Sequence, residues 1–450
     1  MNENQNREQE RREERRRRRI RNQIIAYTVV GVLLIALVAG GVLGGKYIYD
    51  TKKEKQQQEE LVAQIEEEMS ASEEEVEVIL TEPESEVVVV PEPTPEEQMD
   101  EIVNAAIEVM PLEDKVAGLF ITTPESITGV NTAVKAGNGT KEALSKYAVG
   151  GIVYFSKNIQ SEEQLTEMIS NTTMFSKYPL FIAVDEEGGD VSRVANSSID
   201  VAEVASAAEI AATQDTAQAY NAGTTIGGYL NKLGFNLDFA PVADVASAES
   251  DVLGDRAYGS DSAIVSQFAV NMVKGLEDSG VSACMKHFPS LGGTTQDTHE
   301  GMVITERSKE DFTAKEFPVY QQGIAAGVDF IMVSHLCVPA IVGENIPSSL
   351  SPAVVTDVLR GELGYDGIII SDAMNMAAIT DYYAADEAAV LALRAGCDMI
   401  LMPEDFELAY QGILNAVQEG TIAKERIDDA LRRIYRVKLR DTFETQITAE

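Results

Sequence analysis

From about residue 101 the chain alternates between short apolar runs and longer amphipathic segments. The runs are GLFITT (118–123), GGIVYF (150–155), LFIAVDEE (180–187), FNLDFAPVADV (235–245), SACMKHFP (282–289), VDFIMVSHL (328–336), DGIIISDAM (366–374) and CDMILMP (397–403). They are rich in β-branched residues and lack strict apolar–polar alternation, as expected of strands buried on both faces in a parallel sheet. Between them, segments such as EEQLTEMISNTTMFSK, TAQAYNAGTTIGGYLNKL, SAIVSQFAVNMVKGLEDSG, SPAVVTDVLRGELG and DEAAVLALRAG carry apolar positions at helical spacing, and ERIDDALRRIYRVKL follows the eighth run. Several open on Ser or Asp and close on Gly, the usual start and stop signals of helices. Eight β-then-α units predict an α/β fold of the (β/α)8 type, a TIM barrel, occupying 101–441 as a single domain with a short tail at 442–450. An open doubly wound sheet fits less well. No glycine-rich dinucleotide fingerprint follows the first run, and EEGGD after the third is only a lone Gly pair.

The first hundred residues have a different texture. Residues 1–22 carry nine arginines, and Ile24–Gly45 is a charge-free apolar stretch of 22 residues. At the rise of an α-helix that length spans roughly 30 Å, the hydrocarbon thickness of a bilayer. The reading is a basic cytoplasmic tail (1–22) and a single transmembrane anchor (23–46), with everything after it on the extracellular side by the positive-inside rule. A cleaved signal peptide is the competing reading, since Ala36–Gly41 offers small residues. Residues 54–100 hold seventeen Asp and Glu against the single Lys55, with Pro83, Pro91, Pro93 and Pro95 near the end. Such composition cannot bury enough apolar surface to order itself, so 47–100 is expected to be an extended acidic stalk.

The formal net charge of −38 argues against nucleic acid as a partner, which needs clustered Lys and Arg. Cys284, Cys337 and Cys397 all fall in apolar runs, with no CxxC spacing, and read as small core residues. The chain has three histidines, His287, His299 and His335, each where a strand gives way to a loop. In a (β/α)8 barrel, chemistry collects at the C-terminal ends of strands. Those ends supply Asp185, Asp238, Asp244, Lys286, His287, His335 and Asp372, and the following loops add Arg256, Asp297 and His299. Asp372 is either a nucleophile or general base, or a cap for the next helix. Asp297 and His299 are either polar surface-loop residues or a dyad in which a carboxylate orients an imidazole for acid/base work. His335 reads as structural, positioning a neighbour. No metal is expected: HxH and HExxH patterns are lacking, and Lys286 and Arg256 would repel a cation. Cationic groups beside several carboxylates suit a polyhydroxyl substrate such as a sugar.

Taken together, VDEEGGDVSRV, LGFNLDFAPVADV, VLGDRAYGSD, KHFPSLGGTTQDTHEG and IIISDAMNMAAI resemble the motifs of glycoside hydrolase family 3, in their order on the strands, and specifically its β-N-acetylglucosaminidase branch. The resemblance covers roughly 101–440. It implies a nucleophile at Asp372 and an acid/base at His299 supported by Asp297, in a mobile loop after KHFP. Sugar contacts are implied for Asp185, Arg193, Arg256, Lys286 and His287, with no cofactor. The sequence departs from the family's FPGHG with FPSLGG, from a usual Arg with Asp190, and from a usual acid with Ala373. The implied reaction is exo-acting hydrolysis of terminal N-acetylglucosamine with retention of configuration, on peptidoglycan fragments given the outward topology. Phosphorolysis of the same glycosides, or a wall-binding barrel without turnover, are the alternatives.

Overall fold

Each of the eight apolar runs contributes one strand to a single parallel sheet. They are β1 (Phe120–Thr122), β2 (Gly151–Val153), β3 (Phe181–Val184), β4 (Leu237–Asp238), β5 (Ser282–Phe288), β6 (Phe330–Val333), β7 (Ile368–Ser371) and β8 (Ile400–Leu401). This is a computed structural model, and it describes residues 94–247 and 252–449. From β1 to β7 each strand pairs in parallel with the next, from Ile121 opposite Gly151 through Phe330 opposite Ile368, and β1 pairs back onto β8. The ring closes through a bridge between Ile370 and Met399, with the Ser371 N–H donating to the Met399 carbonyl at 3.1 Å. The expected α/β barrel is the observed architecture.

All strand positions are buried, because side chains face either the barrel interior or the helical layer. Phe181 on β3 and Phe330 on β6, strands that are not neighbours, meet edge to face with ring centroids 5.0 Å apart, filling the interior. Outside, Ala217–Leu233 and Ser262–Glu277 pack at small residues: a Cβ on Gly223 would sit 2.4 Å from the Met272 carbonyl oxygen, and one on Gly275 would sit 2.3 Å from that of Tyr220. Side-chain caps start the helices, as at Ser161, Asp261 and Ser308, and left-handed glycines end them at Gly234, Gly327 and Gly396. The three cysteines are free and buried.

The end of the barrel away from the strand tips is held by charge. Asp398, fully buried ahead of β8, accepts from Arg360, from Arg426 at 3.2 Å, from Arg433 at 3.5 Å and from the Ile369 N–H at 3.0 Å. Removing that carboxylate takes away the shared counter-charge of three arginines, two of which keep only backbone carbonyls as acceptors, so Asp398→Ala is expected to cost about 3–5 kcal/mol in denaturant unfolding. KM should be unchanged in the protein that remains folded.

Two boundaries differ from expectation. Helix Pro95–Glu108 begins inside the expected stalk, with a Thr94–Glu97 capping box, and packs on the last helix through Asp100–Arg436 and Asn104–Arg432 contacts. Pro95 fits the first helical turn, where its missing N–H costs nothing. The last helix, Lys424–Ala449, runs through the expected tail. The basic tail, the anchor at 23–46 and the rest of the stalk lie outside the described residues. Among the described residues no helix is long and apolar enough to cross a membrane.

Candidate active site

The strand tips gather charge. Asp185 follows β3 directly and leads into a two-stranded hairpin, Glu186–Gly188 with Val191–Ser192, turned at Gly188 (φ 92°) and Gly189 (φ 58°). These positive φ values explain the Gly pair of EEGGD as a turn rather than a phosphate cradle. Lys286 on β5 reaches into this corner, its Nζ 2.8 Å from Asp185 Oδ1 and 2.7 Å from Glu187 Oε1. Arg256, in the loop after β4, grips Glu187 with Nε and Nη2, each at 2.8 Å. Arg193 lies 3.9 Å from Asp185. Burial alone would raise the Glu187 carboxyl, but Lys286 and Arg256 pull it down to about 2. Burial likewise opposes the charge on Lys286, yet Asp185 and Glu187 hold its proton and raise its pKa. Glu187 and Lys286 are thus held ionised within a preorganised set of donors and acceptors.

Next along the ring, His287 Nδ1 lies 2.7 Å from Asp244 Oδ2, and the Leu291 N–H donates to Asp244 Oδ1 at 2.7 Å. One carboxylate therefore fixes both the imidazole and the start of the loop after β5. Asp238, fully buried, accepts from the Glu186 N–H at 2.9 Å and braces the hairpin, with burial pushing its carboxyl well above the usual range. Asp372 comes directly after β7 and is 9% exposed. Its Oδ1 accepts from the Ala373 N–H at 2.8 Å. Burial would raise this carboxyl too, but His287, His335, the Ala373 N–H and Lys286 together outweigh it and hold the group below the usual carboxylate range. A carboxylate kept ionised at low solvent exposure is suited to nucleophilic attack.

His299 and Asp297 lie in the loop after β5. Asp297 Oδ1 faces His299 Nδ1 at 2.7 Å and also accepts the His299 backbone N–H at 2.9 Å. Burial opposes ionisation of Asp297, but the two hydrogen bonds from His299 together outweigh it and lower its pKa. The imidazole is open to solvent, with 70% of its side chain exposed. Between the pair, the carbonyl of buried Thr298 accepts from the Ala378 N–H at 3.2 Å, and Ala378 is six residues past Asp372. That hydrogen bond ties the His299 loop to the segment leaving β7.

All eight residues singled out from the sequence are therefore at the same end of the barrel: five in two direct networks (Lys286–Asp185–Arg193 and Asp297–His299), Arg256 joined to Lys286 through Glu187, His287 held by Asp244, and Asp372 at the tip of β7. Glu187 was not singled out. EE before a Gly pair does not say which glutamate turns toward the mouth, and its neighbour Glu186 is instead spent on the Val194 and Ala195 N–H groups and the Tyr229 hydroxyl. Among the described residues no cluster of three or more His, Cys, Asp or Glu is arranged to hold a metal ion.

Comparison with known proteins fits this arrangement. The model of the glycosyl hydrolase family 3 N-terminal domain matches residues 111–437. The chain belongs to that family. The beta-hexosaminidase LpqI of Mycobacterium tuberculosis is 34% identical over 336 residues, covering 72% of this chain and 82% of that protein. Beta-hexosaminidase A of Pseudoalteromonas piscicida is 30% identical over 326 residues, of which the alignment spans only 54%. Among solved structures, a family 3 beta-N-acetylglucosaminidase from a Paenibacillus species superposes with a TM-score of 0.70 at 32% identity, covering 75% of this chain and 64% of that one. The family 3 match begins and ends within the barrel described above and takes in every residue of the two networks.

Proposed function

We propose that this family 3 barrel is a retaining, exo-acting β-N-acetylglucosaminidase. Asp372 attacks the anomeric carbon while His299 protonates the departing oxygen, giving a glycosyl-enzyme. His299 then takes a proton from water as it attacks the same carbon, releasing the sugar and freeing Asp372. Most retaining glycosidases use two carboxyl groups; here an imidazole oriented by Asp297 takes the place of the acid. Asp185, Lys286, Arg193 and Arg256 offer donors and acceptors for sugar hydroxyls, fixed before substrate arrives. His287, pinned by Asp244, bears electrostatically on Asp372.

The observation that carries the reading is the ionised, nearly buried Asp372 carboxylate at the barrel end that also carries a carboxylate-oriented imidazole on a loop tethered to its own exit segment. The relatives' beta-hexosaminidase and beta-N-acetylglucosaminidase names support the sugar. With 23–46 as an anchor and 1–22 inside the cell, the barrel faces outward on its acidic stalk, and N-acetylglucosamine-bearing peptidoglycan fragments become its substrates.

Chromogenic N-acetylglucosaminide and glucoside, offered in parallel to the purified full chain, test the specificity. The N-acetylglucosaminide should be preferred in kcat/KM by at least about 100-fold, the scale of discrimination available to a site built around polar substituents. Preferential turnover of the glucoside would overturn the reading. Sugar 1-phosphate as the product in phosphate buffer would replace hydrolysis by phosphorolysis.

A further inference from the structure

His335, at the tip of β6, takes no part in the chemistry above, yet it is fully buried beside the nucleophile's exit from β7. Its Nε2 lies 3.0 Å from the Ala373 carbonyl oxygen and its Nδ1 lies 2.8 Å from the Ser349 hydroxyl. A carbonyl only accepts, so Nε2 carries the proton and the Ser349 hydroxyl donates to Nδ1. Burial, the main influence on this ring, lowers its basicity and keeps it in that neutral form.

The backbone on either side of the nucleophile explains what such a ring can do. The Asp372 N–H donates to Val333 and the Met374 N–H donates to Leu401, each at 2.9 Å, so the ladder holds the flanks. Between them, the Ala373 N–H is spent on Asp372 Oδ1 instead of on a neighbouring strand. The orientation of that N–H depends on the torsions of Ala373, whose carbonyl is gripped by His335 and, at 3.1 Å, by the Met376 N–H.

We propose that His335 is a positioning residue for the glycosylation step: by clamping the Ala373 carbonyl it fixes the Ala373 N–H on Asp372 Oδ1, leaving Oδ2 as the attacking oxygen. This rests on Asp372 being the nucleophile. The ring never touches substrate. It narrows the directions the carboxylate can take, and misplacement of a reacting group by about 1 Å costs on the order of 100-fold in rate. The second donor, Met376 N–H, means that loss of the imidazole leaves the carbonyl satisfied, so the fold should survive substitution.

The test is the rate of covalent labelling of the full chain by a slow fluorinated N-acetylglucosaminide, followed by intact-protein mass, for wild type, His335→Leu and His335→Gln. The leucine variant fills the space without a donor, and glutamine restores an amide N–H. His335→Leu should label about 10- to 100-fold more slowly at saturation, with its half-saturating concentration within about 2-fold of wild type. His335→Gln should recover most of the rate. Ser349→Ala, which removes the partner that sets the tautomer, should slow labelling in the same direction but by less. Equal rates for wild type and His335→Leu, or equal slowing in the leucine and glutamine variants, would overturn the positioning role. Labelling of a residue other than Asp372 in wild type would instead remove the nucleophile assignment beneath it.

Discussion

Asp372→Asn should lower kcat/KM on a chromogenic N-acetylglucosaminide by on the order of 10⁴-fold or more, the scale seen when a covalent nucleophile is removed. The amide is nearly isosteric and can still accept the Ala373 N–H through its oxygen, so local structure should persist. What disappears is the negative charge that His287, His335, the Ala373 N–H and Lys286 hold in place. Without it no acylal ester can form at the anomeric carbon, and the oxocarbenium-like transition state loses its counter-charge. Substrate affinity should fall far less, because the groups assigned to the hydroxyls sit on β3, β5 and the loop after β4. Near-wild-type turnover in a folded Asp372→Asn protein would remove the residue from the chemistry.

His299→Gln should separate the two half-reactions. Glycosides with poor leaving groups need a proton on the departing oxygen, so their kcat/KM should drop by about 10²- to 10⁴-fold, the usual contribution of a positioned acid/base. Aryl glycosides with good leaving groups need little protonation and should form the glycosyl-enzyme at a much less reduced rate. Its hydrolysis still needs a base, so the intermediate should accumulate and appear as a pre-steady-state burst. Azide, a nucleophile that requires no deprotonation, should restore turnover of the aryl substrate and yield a glycosyl azide. Equal losses on good and poor leaving groups, with no burst and no azide effect, would mean His299 does not handle the proton. Its exposure fits a group brought to the sugar by its loop, and the Thr298–Ala378 hydrogen bond is the tether about which that loop would move.

The barrel was legible because strands buried on both faces leave apolar runs, and eight of them with helices between and no dinucleotide fingerprint fit a closed barrel better than an open doubly wound sheet. Strand ends were less so. FNLDFAPVADV reads as eleven strand-like residues, yet only Leu237–Asp238 sit in the ladder as a strand, because Pro241 has no N–H to donate and the chain turns toward the mouth. Its later residues still meet β5 through backbone hydrogen bonds at Ala240, Pro241 and Ala243, through the Val242–Lys286 bridge and through Asp244 on His287. The start of the domain was misplaced for a compositional reason. Pro95–Asp100 is acidic and proline-led like the stalk before it, and only the partner helix, where Arg436 meets Asp100 and Arg432 meets Asn104, shows that this segment docks.

Within the site, residue type and strand-end position pointed to the Asp, His, Lys and Arg set, whereas pairings did not follow from sequence. Asp244 was visible as a strand-end acid, but its partner, His287, lies 43 positions away and is fixed only by the β4–β5 register. Glu187 was hidden because a turn set by Gly188 and Gly189 decides which glutamate of the pair meets Lys286 and Arg256. His335 was expected to be structural, positioning a neighbour; which neighbour was not legible, since Ser349 and Ala373, its hydrogen-bond partners, lie 14 and 38 positions away.

The central claim is a covalent bond between the sugar and the carboxylate at the tip of β7. Incubating the full chain with a slow fluorinated N-acetylglucosaminide, digesting it and sequencing the modified peptide by mass spectrometry reads that bond directly. The account predicts one glycosyl adduct, on Asp372 within IIISDAMNMAAI. An adduct on any other residue, or turnover of the reagent by a folded protein that never carries one, would contradict it.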